Sequence, residues 1–299
     1  MKIAITGASG LIGTALTSYL TAEGHEVVPL VRKQVAPGKG RIHWNPAAGV
    51  LETAQLEGIN AVVHLAGENV VLGRWTAAKK KRIRDSRING TRLLAATLAK
   101  LENPPEVLIS ASAIGYYGNR GEEILTEDST QGANFLSQVC VEWEGATAAA
   151  QEKGIRTVFM RISMVLSKAG GALGKMLPPF KLGLGGRLSH GRQYNSWIAI
   201  DDLLRAVSFI LTNKNITGPV NFGAPNPVTN IEFTKTLGRV LRRPTVFLVP
   251  AFAVRLLFGE VGDALFLASM RMLPRKLVDM NFEFSYPDLD GALRHILKR

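Results

Sequence analysis

Three glycines at a spacing of three residues lie where an apolar strand turns into a helix. Residues 2–6 have the apolar character of a buried strand, and Gly7, Gly10 and Gly13 follow them. Glycine permits a tight turn, a close approach of backbone to a pyrophosphate, and close packing of the helix on the strand. Free N–H groups and the helix dipole favour an anion at such a helix start. We therefore expect a dinucleotide site here, the alternative being a glycine-rich turn without a ligand. Its predicted contacts are Gly7, Ser9, Gly10, Leu11, Ile12 and Gly13.

Two basic residues end the second predicted strand, at the position that selects between nucleotides. Arg32 and Lys33 come directly after a strand predicted over residues 26–31. Sites for NAD usually carry a carboxylate here to bind the ribose 2′-hydroxyl, whereas a guanidinium can hold a 2′-phosphate through two hydrogen bonds. The pair therefore predicts NADP(H) rather than NAD(H). A solvated basic strand end with no ligand is the alternative.

Arg87 lies on the apolar face of a long helix predicted over residues 76–101. It shares that face with Ile83, Gly90 and Leu94 at helical spacing. A charged side chain on a buried face needs an anionic partner. Cofactor phosphate or ribose is one candidate and a structural salt bridge is the other, and the sequence leaves both open. We expect the lysines of residues 79–81, earlier on the same helix, to be solvated.

The next two predicted strands bring further residues to the same edge of the sheet. Ligands of open α/β sheets bind outside the carboxyl ends of the strands. A buried run over residues 61–67 therefore places Leu65, Ala66 and Gly67 against the cofactor, and a strand over residues 106–110 places Ser112 just past its end. We interpret His64, inside the first of these strands, as a hydrogen-bonded core histidine.

A glycine-rich stretch, residues 170–191, separates two later predicted strands. It is too long for a simple connection, which indicates a functional or mobile segment. It and the residue after it carry Lys175, Lys181, Arg187 and Arg192, and we expect these basic side chains to hold an anionic substrate. Asp201 and Asp202 follow a later short strand and are predicted to cap the next helix.

Composition excludes several classes of protein. The 299 residues include one cysteine, which excludes an intramolecular disulfide and a cysteine-based metal site. A predicted strand starts at residue 2, and no stretch has the length and apolarity of a membrane span, so we expect a cytoplasmic protein with no membrane partner. The net charge of +12 is spread along the chain except at residues 79–84, without aromatic residues between the basic ones. We expect no nucleic-acid partner and no metal.

The order of elements predicts an α/β fold, a doubly wound parallel sheet of the Rossmann type with a smaller C-terminal α+β lobe. We assign residues 1–165 and 194–230 to the dinucleotide-binding domain. Residues 166–193 and 231–299 form the smaller substrate-side domain. The sequence does not predict the oligomeric state.

These motifs resemble those of extended short-chain dehydrogenases/reductases, and more closely their atypical, epimerase-like members. The residues that carry the resemblance are the turn at 6–13, Ala66-Gly67-Glu68-Asn69, Ser86-Arg87, Gly115-Tyr116-Tyr117-Gly118, Trp143-Glu144, the glycine/proline segment at 174–186 and a tail from about 244 to 297. The resemblance implies NADP(H) on Arg32, on the strand end at Leu65 and Ala66, and on Arg82 and Arg87. It also implies that backbone near Met164 meets the nicotinamide end.

One departure from this family concerns the chemistry itself. The superfamily transfers a proton through a Tyr-x-x-x-Lys pair, but alignment on Trp143-Glu144 puts Phe135 and Val139 at those two positions. Ser112 keeps the position of the hydroxyl that polarises a carbonyl, and Tyr116 or Tyr117 is the candidate replacement for the acid. We therefore predict an NADP(H)-dependent oxidoreductase or epimerase on a polar, anionic carbonyl or sugar-type substrate. The alternative is a scaffold or redox sensor that binds NADP(H) without catalysis.

Overall fold

The computed structural model describes residues 1–33 and 40–298. Within those ranges the strands are β1 (Lys2–Thr6), β2 (Glu26–Val31), β3 (Ile42–Asn45), β4 (Val50–Leu51), β5 (Ala61–His64), β6 (Val107–Ala113), β7 (Ile124–Leu125), β8 (Arg156–Ile162), β9 (Met164–Leu166), β10 (Gly186–Leu188), β11 (Tyr194–Asn195), β12 (Trp197–Ala199), β13 (Gly218–Phe222), β14 (Val228–Thr229), β15 (Phe247–Val249) and β16 (Arg271–Met272).

The helices of the same ranges are α1 (Leu11–Ala22), α2 (Ala77–Leu98), α3 (Phe135–Gly145), α4 (Ala148–Glu152), α5 (Gly171–Lys181), α6 (Ile200–Thr212), α7 (Asn230–Leu241), α8 (Ala251–Phe258), α9 (Arg275–Asp279) and α10 (Leu289–Leu297). Short 3₁₀ turns lie at Thr53–Leu56 and Ile114–Tyr116, and a π-helix spans Gly262–Leu267.

A sheet in the order β13-β8-β6-β5-β1-β2-β3-β4 forms the centre of the molecule. Its neighbours pair in parallel except for β3 with β4. The chain builds outward from β1 to β2 on one side and from β5 to β6 on the other. The order therefore reverses between β1 and β5, which is where doubly wound sheets bind their ligands. The predicted Rossmann-type fold is confirmed.

Alternating side chains of the central strands pack against helices on both faces. Ile3 and Ile5 belong to one apolar cluster with residues of α1 and α6, whereas Ala4 belongs to a second cluster with residues of α2 and α4. The strands are apolar on both faces because helices cover both. The glycine turn after β1 is thus fixed to a rigid core.

Two segments differ from what the sequence led us to expect. The sequence predicts one helix over residues 134–153, but the structure breaks it into α3 and α4 at Ala146 and Thr147, where the Thr147 hydroxyl donates to the Glu144 carbonyl. The glycine-rich segment at residues 170–191, expected to be functional or mobile, contains α5, which buries Leu173, Leu177 and Phe180. Their spacing of four and three residues is helical, but the glycines and prolines around them concealed it.

A further apolar cluster surrounds the C-terminal helices and includes residues of β9 and β12. It joins side chains of α5, α7 and α10, with Leu177, Phe233 and Leu293 among its members. The domain division into 1–165 with 194–230 and 166–193 with 231–299 stays a prediction. Asp202 does not cap a helix, since α6 begins at Ile200. Its carboxylate instead accepts the backbone N–H groups of Ser285 and Tyr286, at 2.8 and 2.9 Å.

No helix of residues 1–33 and 40–298 is both long and apolar enough to span a bilayer. In the same ranges, no group of three or more His, Cys, Asp and Glu side chains is placed to hold a metal ion.

Candidate functional site

The turn between β1 and α1 is closed by backbone contacts that admit only glycine at two positions. Gly7 has φ +68°, and the Gly10 N–H donates to its carbonyl at 3.0 Å. A Cβ on Gly13 would lie 2.2 Å from the Gly7 oxygen. Positive φ at the first position and this close approach at the third are the physical reasons for the spacing.

The start of α1 is open to a ligand. Gly10 is the N-cap residue and no side chain caps it, while Ser9 and Gly10 are exposed and Leu11 and Ile12 half-buried. The first N–H groups of a helix need an acceptor from outside the helix. A turn of this shape fits the pyrophosphate of a dinucleotide.

Sequence reasoning missed one neighbour of this turn. Gly170 and Gly171, at the start of α5, lie against Leu11, and a Cβ on Gly171 would be 3.1 Å from a Leu11 methyl group. The glycine pair was the available signal. The N-terminus of α5 therefore forms part of the wall beside the open helix start.

The end of β5 is tied to the same turn. The Leu65 and Ala66 N–H groups donate to Thr6 Oγ1 at 3.0 and 3.2 Å. His64 is fully buried and bonds Thr6 and Thr91 through its two ring nitrogens. Burial, with the nearby charge of Arg87, lowers the pKa of His64 to about 4. The interpretation of His64 as a core residue is confirmed.

Arg32 and Lys33 are exposed and directly follow β2. Their strand neighbours β1, so both basic residues lie beside the glycine turn at the carboxyl edge of the sheet. Residues 34–39, which come next, lie outside the described ranges.

Arg87 is held by carbonyl groups and an aromatic ring. Its Nη1 donates to the carbonyls of Glu68 and Ile83, at 3.0 and 3.1 Å, and its guanidinium lies 4.9 Å from the Trp143 ring centroid. A Cβ on Gly67 would be 3.2 Å from Arg87 Cζ, so Gly67 gives the guanidinium its space. No carboxylate among the described residues forms an ion pair with Arg87, and burial lowers its pKa.

The basic run on α2 is not uniformly solvated. Lys79 is buried and its ammonium donates to Glu68 at 2.6 Å, so the expectation for this residue was wrong. That hydrogen bond is the main cause of the lowered pKa of Glu68. Arg82 is exposed and lies 4.0 Å from the same carboxylate.

Ser112 lies within β6, directly opposite Arg161 of β8, and not past the strand end as expected. Its hydroxyl donates to Glu144 Oε1 at 2.6 Å. Arg161 donates to both oxygens of Glu144 at 3.0 Å, and the Arg161 and Glu144 side chains are 4% and 11% exposed. Burial alone would lower the pKa of Arg161, but the hydrogen bonds and the charge of Glu144 outweigh burial, so that the pKa is raised. The proton of Ser112 is therefore committed to a buried ion pair.

The two candidate tyrosines differ in access. Tyr117 is fully buried, its hydroxyl donates to Asn221 at 2.6 Å, and burial raises its pKa to about 12. With no free hydroxyl to offer a substrate, Tyr117 is placed as a structural residue, against our expectation. Tyr116 is half-buried and its ring centroid lies 3.4 Å from Arg161 Cζ. Tyr116 is the better placed of the two for chemistry.

We name Ser112, Tyr117, Glu144, Arg161 and Asn221 the buried network. Sequence reasoning did not find Glu144, Arg161 or Asn221 as members. Arg161 also donates to the Tyr117 hydroxyl and to the Glu127 carbonyl, at 3.1 and 3.2 Å. A charged residue near the end of an apolar strand was the available signal for Arg161.

Phe135 and Val139, which the resemblance aligns with a proton-transfer pair, have side chains that cannot move a proton. Phe135 begins α3 and packs edge-on against Trp75, with ring centroids 5.4 Å apart. Val139 is buried one turn later. Met164 begins β9, and its N–H donates to the Ser196 carbonyl at 3.2 Å.

Comparison with known proteins gives two matched regions. Residues 3–223 match the NAD dependent epimerase/dehydratase family. Residues 249–296 match a domain of unknown function, DUF1731.

Three individual proteins are similar over nearly the whole chain. An epimerase family protein of Mycobacterium tuberculosis is 44% identical, with 99% of this chain and 98% of that protein covered. The crystal structure of human epimerase family protein SDR39U1 with NADPH has a TM-score of 0.91 at 35% identity, covering both chains completely. A nucleoside-diphosphate sugar epimerase from Corynebacterium glutamicum has a TM-score of 0.81 at 39% identity, and 99% of this chain covers 58% of that one.

Proposed function

The chain belongs to the NAD dependent epimerase/dehydratase family, and from that premise we propose that it is an NADP(H)-dependent oxidoreductase or epimerase. Its substrate is a small polar carbonyl or sugar-type molecule. The observation that carries the proposal is the open start of α1 beside Arg32 at the switch point of the sheet. A relative of known structure holds NADPH on the same fold, which supports the choice of nucleotide.

The cofactor would be held mostly by backbone. The glycine turn would bind the pyrophosphate through N–H groups, and Arg32 with Lys33 would bind the 2′-phosphate. The ribose and nicotinamide side would meet the end of β5, the arginines of α2 and the start of β9. The residues proposed for contact are Gly7, Ser9, Gly10, Leu11, Ile12, Gly13, Arg32, Lys33, Leu65, Ala66, Gly67, Arg82, Arg87 and Met164.

NADP(H) supplies or accepts a hydride when bound. The protein has to orient the carbonyl or alcohol carbon and to move a proton at its oxygen. Ser112 Oγ can accept a hydrogen bond from a substrate hydroxyl while its own O–H continues to donate to Glu144. Tyr116 is the proposed proton donor, because it is the accessible member of the tyrosine pair.

The cofactor assignment is tested by Arg32→Ala. Only NADPH has a 2′-phosphate to lose, so we expect NADPH binding to weaken by about 1.5–3 kcal/mol and NADH binding to change little. Fluorescence titration with each nucleotide measures both values. Arg275→Ala is the matched control, since that side chain is 61% exposed and pairs with carboxylates outside the site. Equal weakening of both nucleotides by Arg32→Ala would show that the phosphate binds elsewhere.

The catalytic assignment is tested by NADPH oxidation with a library of carbonyl compounds. We expect turnover by the wild type, a loss of about tenfold or more for Ser112→Ala, and a similar loss for Tyr116→Phe. Phe keeps the ring stacked on Arg161, so the second variant isolates the hydroxyl. Turnover indifferent to both substitutions would exclude these residues.

A second function has support from a specific observation. Phe135 and Val139 replace the proton-transfer pair, which favours an NADP(H)-binding scaffold or redox sensor without catalysis. This alternative predicts tight NADPH binding, no turnover with any carbonyl, and a partner protein whose affinity depends on the nicotinamide redox state. Equal affinity with NADPH, with NADP⁺ and with no nucleotide would rule out the sensor.

A further inference from the structure

A cleft of about 270 Å³ lies at the start of α3, between the parts of the chain matched to the two family regions. Besides Arg255, its lining includes Trp75, Asn119, Asn134, Phe135, Glu260 and Asp263. The first four lie within residues 3–223 and the last two within residues 249–296. Ligand sites favour such junctions, and this volume is close to the lower end of the usual range, about 300–1,000 Å³.

The cleft offers amide donors. Asn119 Oδ1 accepts the Ser269 N–H at 2.9 Å, and Asn134 Oδ1 accepts the Ser137 N–H at 2.9 Å. Because each amide oxygen is fixed by the backbone, the Nδ2 group of each residue is the part that can bond a ligand oxygen.

The cleft also offers carboxylate acceptors that are already neutralised. Arg255 Nε donates to Asp263 at 2.8 Å, and Lys80 lies 2.5 Å from Glu260. Both carboxylate side chains are about half exposed, so they keep lone pairs for hydroxyl donors. An added phosphate would meet these carboxylates and would have to compete with them for the two cations.

Two aromatic rings supply an apolar face. Trp75 and Phe135 pack edge to face, and the Trp75 indole N–H donates to the Val70 carbonyl at 2.8 Å. With its only polar group engaged, the indole presents carbon surface to the cleft. Arg255 lines the cleft and is paired with Asp263, whereas the basic residues expected to bind an anion do not line it: Lys175, Lys181, Arg187 and Arg192.

We propose that this cleft binds an uncharged, hydroxyl-rich molecule of about monosaccharide size, such as an unphosphorylated sugar or polyol, and disfavours its phosphate esters. Amide donors and carboxylate acceptors pair with its hydroxyl groups, and the rings cover a C–H face. The inference rests on the proposed function only in naming this ligand as the substrate, since binding itself needs no turnover. The C-terminal region thereby supplies the acceptors that select the substrate.

Trp75 is a built-in reporter for the test. Of the four tryptophans, Trp44, Trp143 and Trp197 are buried, whereas Trp75 is half-buried. Acrylamide quenching of the protein, measured with and without NADP⁺, is therefore dominated by the cleft. The probes are D-glucose, D-ribose and myo-inositol, each compared with its monophosphate. Trp75→Phe should abolish the response.

We expect at least one neutral probe to protect Trp75 and to bind about tenfold or more tightly than its monophosphate. Asp263→Asn should weaken the neutral probe about tenfold and narrow the gap to the ester, because a charge-assisted hydrogen bond is lost. Asp279→Asn, an exposed carboxylate outside the cleft, should change neither. Tighter binding of the esters, protection by no neutral probe, or indifference to Asp263→Asn would each overturn the proposal.

The outcome separates the two proposals. NADPH titration of the same preparation tests the cofactor site independently. A protein that binds NADPH and no neutral probe disproves the cleft alone. A protein that binds a neutral probe and no NADPH disproves the proposed function and leaves the cleft assignment standing.

Discussion

The glycine turn and the buried network lie at the same edge of one sheet. The polar groups of the turn are open to a ligand, whereas those of the network are bonded to one another. At the turn, the helix start carries no side-chain cap, and Ser9 and Gly10 are exposed. In the network, Ser112, Glu144, Arg161 and Tyr117 satisfy one another away from solvent. Open polar groups on a rigid frame indicate a ligand, whereas the mutually satisfied groups of Glu144, Arg161 and Tyr117 indicate structure. Ser112 stands between the two cases, since its hydroxyl donates to Glu144 and can still accept a hydrogen bond.

That difference affects how the functional roles known for a family can be assigned to the matching residues of one member. Ser112 was expected to be a carbonyl-binding hydroxyl, yet its O–H donates to Glu144. Gly7 keeps its position and its positive φ, and the helix start beside it at Gly10 stays open. Position in a motif is therefore a weaker guide to function than the state of the side chain's hydrogen bonds.

The largest expected effect is on stability, and it concerns the Arg161–Glu144 pair of the buried network. Arg161→Met leaves the Glu144 carboxylate nearly buried without its partner, so we expect the free energy of unfolding to fall by about 3–5 kcal/mol. Urea unfolding measures it. The double variant Arg161→Met with Glu144→Gln should recover part of the loss, because no buried charge remains. A single variant as stable as the exposed control Arg275→Met would contradict a structural network.

His64 gives a smaller effect with a defined pH window. Its pKa is about 4 in the folded protein and about 6.5 when unfolded, so the unfolded state binds more protons between these values. The contribution of the neutral ring is fully present above pH 6.5 and is lost as the pH falls to 4, a change of about 3 kcal/mol. His64→Gln should flatten the pH dependence of the unfolding free energy in that window. His190→Gln, an exposed histidine, should leave it unchanged. The same slope in both variants would refute the burial argument.

Gly13→Ala tests whether the glycine turn holds the nucleotide. Its Cβ would lie 2.2 Å from the Gly7 oxygen, so the turn must open, and we expect a loss of about 1–3 kcal/mol in stability together with lost NADPH binding. Gly145→Ala, also in a helix, would meet nothing within 4 Å and should bind NADPH normally. Thermal unfolding and nucleotide titration measure the two effects. Unchanged binding in Gly13→Ala would mean that the turn does not hold the nucleotide.

The smallest effect concerns Cys140, which contacts the network region. Burial raises the pKa of this thiol to about 11, and its sulfur lies 3.8 Å from the Ala113 carbonyl. Since the thiolate is the reactive form, we expect almost no alkylation by iodoacetamide at neutral pH until the protein is unfolded. Mass spectrometry of native and urea-treated protein gives the answer. Rapid native labelling would show that this region opens.

The sequence was sufficient for features that depend on near neighbours. The apolar strand, the glycine spacing and the following helix lie within residues 2–22, and periodicity alone determined them. The alternation of strands and helices determined the doubly wound sheet in the same way. His64 was interpreted correctly because its strand is apolar throughout.

Features that depend on distant partners were not predictable. Ser112 finds its partner 32 residues later, at Glu144, and Tyr117 finds Asn221 after 104 residues. Lys79 is buried because Glu68 folds back onto α2, which no helical pattern shows. The cleft was missed for the same reason, since Phe135 and Asp263 meet only in the folded chain.

The hydrogen bonds of Asp202 have a consequence for biosynthesis. This carboxylate belongs to the first turn of α6 and is fully buried, yet its backbone partners are Ser285 and Tyr286. Domains usually fold as they leave the ribosome, N-terminal parts first. Until residues 285 and 286 have been made, the carboxylate has Arg205 of its own helix but lacks these two backbone donors, so the Rossmann part reaches its final stability only late in translation.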